Sequence, residues 1–123
     1  MAAVNLVEKK HLNMGLFEIV KFQLISHCFF NKISLNDTEL NCLTLLGITG
    51  KIRLIDFCRK VSSEGYLGNP TAVNNCLAKV EKSKLFLKEG SGKKMIYLNP
   101  ELQIQVDGNI LVKYTLLRRD AAN

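Results

Sequence analysis

Across residues 69–98 the spacing of apolar side chains switches from a helical period to an alternating one with almost no linker between, and this switch constrains the fold more than any other feature. Asn69 stands before Pro70, an N-cap residue followed by the residue whose missing N–H costs nothing at the first helical position. Val73, Cys76, Leu77 and Val80 then fall on one helical face. Thr71, Asn75, Ala78 and Lys82 point the opposite way, flanked by Asn74 and Lys79. From Leu85 the period becomes about 2, which predicts two strands joined by "EGSGKK", with Leu85, Leu87, Met95 and Tyr97 turned inward.

Two further helices precede this unit. Asn36 and Glu39 have the spacing of a reciprocal cap, and Leu40, Leu43 and Leu46 follow at helical spacing before Gly47. Leu54, Phe57, Cys58 and Val61 share a face in the next helix, which ends near Gly65. The stretch "FEIVKFQLISHCFF" fits a strand or a helix equally well. After Pro100, "LQIQV" and "ILVKYTLL" read as two more strands around a turn at Asp107-Gly108. At 123 residues one core is the natural size. The expectation is a single α+β domain with three helices and a β-hairpin over residues 36–99. An apolar N-terminal arm fills 1–35, and a C-terminal β extension and tail fill 100–123.

The net charge of +6 is unevenly spread. Residues 70–99 hold six lysines against Glu81 and Glu89, so two thirds of the excess lies in the last helix and the hairpin. No run approaches the roughly 20 apolar residues of a membrane span, and the first residues have no secretory layout, so a protein kept inside the cell is expected. Cys28, Cys42, Cys58 and Cys76 are widely spaced among apolar neighbours, which predicts buried, reduced thiols rather than a metal site. No phosphate-binding, nucleophile or zinc-protease motif is present, so neither an enzyme nor a cofactor is expected.

Two binding surfaces remain as candidates. A helix entering the major groove would use Thr71, Asn74, Asn75, Lys79 and Lys82, with Lys93 and Lys94 at the hairpin tip reaching phosphate. That face carries no arginine, the residue most used to read guanine, and has Ala78 at its centre. Phe17, Phe22, Phe29 and Phe30 crowd the N-terminal arm, and Ile110, Val112 and Tyr114 lie on the last strand. These residues suit contact with a neighbouring subunit.

Over residues 36–98 the order of elements resembles a winged helix domain, a helix–turn–helix with a hairpin wing. More narrowly, "CLTLLG", "NPTAVNNCLAKVEKSKL" and "KKMIYLNPELQIQVDGNILVKY", within residues 22–114, are similar to small proteins of crAss-like tailed phages. The resemblance implies a non-enzymatic virion structural protein. It would form an oligomeric ring at the portal–tail connector, with other virion proteins as neighbours. A winged helix regulator or replication accessory protein that binds DNA is the alternative.

Overall fold

The structure is a computed structural model and describes residues 5–12, 15–92, 94–108 and 110–117. It is an α+β fold of four helices and a three-stranded antiparallel sheet, with a separate two-stranded pairing. In chain order these are β1 (Asn5–Leu12), α1 (Leu16–Phe30), α2 (Asp37–Thr49), β2 (Ile52–Arg53), α3 (Leu54–Ser63) and α4 (Pro70–Val80). The hairpin strands β3 (Phe86–Glu89) and β4 (Met95–Leu98) and the last strand β5 (Ile110–Leu117) follow.

Helices α2 and α4 start where an asparagine side chain satisfies one of their first N–H groups. At α2 the Glu39 N–H donates to Asn36 Oδ1 and the Asn36 N–H donates to Glu39 Oε1, both at 2.8 Å. At α4 the Ala72 N–H donates to Asn69 Oδ1 at 2.8 Å, with Pro70 next in the chain. Gly47 does not stop α2, as its position in the sequence suggests. The helix continues to Thr49, and Gly50 ends it at φ +82°. Gly47 serves a different need. A Cβ there would lie 2.7 Å from Leu98 Cδ1 and 2.9 Å from Val20 Cγ1, so its missing side chain lets α1 and β4 close on α2.

The open choice for the N-terminal stretch resolves as a helix. Val20, Leu24 and Cys28 of α1 enter the same core as Leu43 and Leu46 of α2, Phe57 and Val61 of α3, and Val73 and Leu77 of α4. Phe86 and Ile96 close this core from the sheet.

β4 lies between β2 and β3, with Ile52 opposite Ile96 and Phe86 opposite Leu98. The inward residues of the hairpin differ from those expected. Leu85 is buried, but it precedes the strand, after Lys84 takes a left-handed turn at φ 58°. The strand begins at Phe86, so Phe86 and Ile96 face the core. Leu87, Met95 and Tyr97 are half-buried on the other parity.

The expected strand in "LQIQV" does not form. Pro100 lacks an N–H, the Asn99 side chain accepts from the Glu101 N–H at 3.0 Å, and Pro100–Leu102 close as a short 3-10 helix. Gln103 then turns left-handed at φ 51°. Leu102 and Ile104 pack on the core, and Gln23 of α1 clamps Gln105. Its Nε2 donates to the Gln105 carbonyl at 2.7 Å, and the Gln105 N–H donates back to its Oε1 at 2.8 Å. β5 pairs instead with β1, antiparallel, from Asn5 opposite Leu117 to Leu12 opposite Ile110.

Candidate functional site

One cleft brings together residues from three distant parts of the chain. β2 places Arg53 opposite Met95, and the Leu54 N–H donates to the Lys94 carbonyl at 2.9 Å, which fastens the start of α3 to the start of β4. The first turns of α4 face this junction, because Asn69 and Pro70 begin the helix there and its apolar stripe is committed to the core. Between them lies a cleft of about 470 Å³. Leu54, Ile55, Cys58 and Pro70 supply its apolar lining, and Arg53, Thr71, Asn74, Gly92 and Lys94 the rest. Ile55 stands at its mouth with 53% of its surface exposed.

Thr71, Asn74 and Lys94, from the set expected to face DNA, therefore line one cavity. Asn75, Lys79 and Lys82 are exposed but do not line it, and Lys82 lies in the short 3-10 turn after α4. Lys93 falls outside the described residues.

Sequence reading missed Arg53 and Ile55. Arg53 provides the arginine that the outward face of α4 lacks, but from β2, which the packing of α3 on α4 and the pairing with β4 bring beside that helix. The guanidinium is held in place by Asp56, with Nε to Oδ2 at 2.7 Å and Nη2 to Oδ1 at 3.3 Å. This hydrogen-bonded pairing holds the Asp56 carboxyl below its usual range and raises Arg53 further. The spacing of Arg53 and Asp56 at the start of a helix was the available signal.

The second candidate surface is the outer side of α1. Its phenylalanines divide: Phe17 packs against the core and stacks on Tyr66, ring centroids 5.9 Å apart, while Phe22 is half-buried. Phe29 and Phe30 are 77% and 79% exposed and meet edge to face, centroids 5.5 Å apart. Ile25, also exposed, lies one turn before Phe29. Ile110, Val112 and Tyr114 belong to β5, and their side chains fall outside the described residues.

All four cysteines are buried and free. The hydrogen bond between Cys42 and Cys76 pushes Cys42 up and Cys76 down, burial raises Cys42 further, and burial raises Cys28 and Cys58. Among the described residues, no group of three His, Cys, Asp or Glu side chains could hold a metal ion, and no helix is long and apolar enough to cross a membrane. In comparisons with known proteins, the chain matches no family model, no curated protein and no solved structure.

Proposed function

We propose that this protein is a non-enzymatic structural subunit that assembles with copies of itself and with other virion proteins into a ring at the portal–tail connector of a tailed phage. One observation carries the assembly reading: α1 is apolar on two sides. Val20, Leu24 and Cys28 serve the core, and Ile25, Phe29 and Phe30 remain in water. A helix apolar all round is stable in a water-soluble protein when both sides are covered, and the domain itself covers one. The phage setting rests on the resemblance over residues 22–114. The winged helix reading of the core is supported by the order α2, β2, α3, α4, hairpin, with β2 added to the hairpin beside β4.

Two measurements test the proposal together: the mass of the purified protein in solution, and the presence of this chain in purified particles. Oligomers and particle density are expected. A monomer at high micromolar concentration that is absent from particles overturns the reading.

The convergence of Arg53, Thr71, Asn74 and Lys94 on one cleft favours a second reading, a DNA-binding accessory protein. It requires an affinity near 10 nM for a selected duplex at physiological salt. It also requires that Asn74→Ala relax sequence preference while non-specific binding persists. Weak binding that salt abolishes excludes it.

A further inference from the structure

A ring or filament of identical subunits needs two different surfaces that fit each other, whereas a two-fold dimer needs only one. This chain presents two apolar features on separate elements. The Phe29–Phe30 pair closes α1, and the cleft is lined from β2, α3, α4 and the hairpin, with no residue of α1. We propose that Phe29 and Phe30 of one copy insert into the cleft of a second copy, head to tail. The proposal deepens the assembly reading above and rests on it.

Size agrees. A cavity of roughly 150 Å³ accepts one benzene ring, so two rings need about 300 Å³. The cleft offers about 470 Å³.

Chemistry agrees as well. Leu54, Ile55, Cys58 and Pro70 provide apolar contact for ring faces, while Arg53 and Lys94, also lining residues, supply cationic side chains of the kind that pack over aromatic rings. Ile55, half exposed in the free subunit, gains cover from the same insertion.

Area sets the scale of the contact. Two phenylalanines exposed to this degree present roughly 300 Å² of apolar surface, against about 800 Å² per partner in a standard interface. The pair is therefore the anchor of the contact, with Ile25 and polar groups around it forming the remainder.

Occupation of the cleft by a neighbour excludes its use for DNA by the same copy, so the two readings of the cleft compete. Complementary variants decide. Phe29→Asp with Phe30→Asp removes the knob and leaves the cleft, and Ile55→Asp spoils the cleft and leaves the knob. All three positions are exposed in the free subunit, so the fold should tolerate them. Sedimentation of the full chain is expected to give at least tenfold weaker self-association for each variant alone. An equimolar mixture should form a one-to-one heterodimer and nothing larger, since only one intact contact exists between the two variants.

If Ile55→Asp associates like the parent protein, the insertion is wrong while assembly stands; contact through α1 against α1 gives that result. A mixture that stays monomeric also overturns the insertion. A parent protein that is itself monomeric overturns the assembly reading and the insertion with it. Thermal melting of each variant checks folding, and Phe29→Ser with Phe30→Ser against Ile55→Asn repeats the test if an aspartate variant melts early.

Discussion

At the scale of single residues, Asn36, Gly47 and Asp37 make separate demands. Asn36→Ala deletes the side-chain half of a reciprocal cap and leaves the Glu39 N–H at the start of α2 without its partner, while the backbone N–H of residue 36 keeps the Glu39 carboxylate. A loss of about 1 kcal/mol is expected, read as a lower urea midpoint with an unchanged slope. Gly47→Ala sets two effects against each other. Helix propensity favours alanine by about 1 kcal/mol, but the new methyl meets Leu98 and the buried, β-branched Val20 inside contact distance. Overpacking costs typically about 1–3 kcal/mol, so the expected result is a net destabilisation near 1 kcal/mol. Asp37 accepts from Lys21 at 2.6 Å, and that hydrogen bond, with the lysine's charge, holds its carboxyl below the ordinary value. A carboxyl depressed in the folded state contributes stability above its unfolded value near pH 4, and the contribution is lost as pH falls through the lower folded value. Melting temperature from about pH 5 to 2 should therefore fall less steeply in Asp37→Asn than in the parent protein.

At the scale of elements, α1 matters most. Read as an arm, the N-terminal region resembles an addition to a three-helix unit. Leu24, fully buried with Val20 among residues of α2, α3 and α4, makes it part of that unit. Leu24→Ala should cost about 2–5 kcal/mol by chemical denaturation, as for any well-packed core leucine. A cost below about 1 kcal/mol would mean that α1 is peripheral. The other side of the same helix carries the assembly proposal, so one element has a folding face and an association face. The hairpin divides its labour in a similar way. Phe86 and Ile96 hold it to the core, while Tyr97 and Glu89 on the other parity engage Lys51, whose ammonium lies 5.3 Å from the Tyr97 ring centroid.

At the scale of the whole molecule, net charge separates the two readings. Subunits of charge +6 repel, and the repulsion weakens as salt shortens the screening length. Association through Phe29, Phe30 and the apolar part of the cleft should therefore strengthen between about 50 and 300 mM salt, measured by sedimentation. Nucleic-acid binding through Arg53, Lys79 and Lys94 would move the other way, because each neutralised phosphate releases counterions. The sign of the salt slope discriminates without knowledge of any binding sequence.

Local chemistry was legible in the order of residues. Asn36 with Glu39, Asn69 with Pro70, and the apolar spacing in α3 and α4 mark caps and buried faces because those interactions reach no further than one helical turn. The burial of the four cysteines also follows from apolar neighbours in the chain. Three features depended on contacts between distant segments. Gly47 is a point of close approach rather than a stop, because Val20 and Leu98 come from elsewhere. β5 takes β1 as its partner rather than "LQIQV", because Pro100 and Gln103 turn the nearer segment away and Gln23 clamps it. The cleft joins Arg53 and Ile55 to Thr71 and Asn74 through the packing of α3 on α4, and to Lys94 through the pairing of β2 with β4. Periodicity determined which side of each helix is buried, and tertiary pairing decided which polar and apolar residues share a cavity, since strand partners are chosen across the fold and not along the chain.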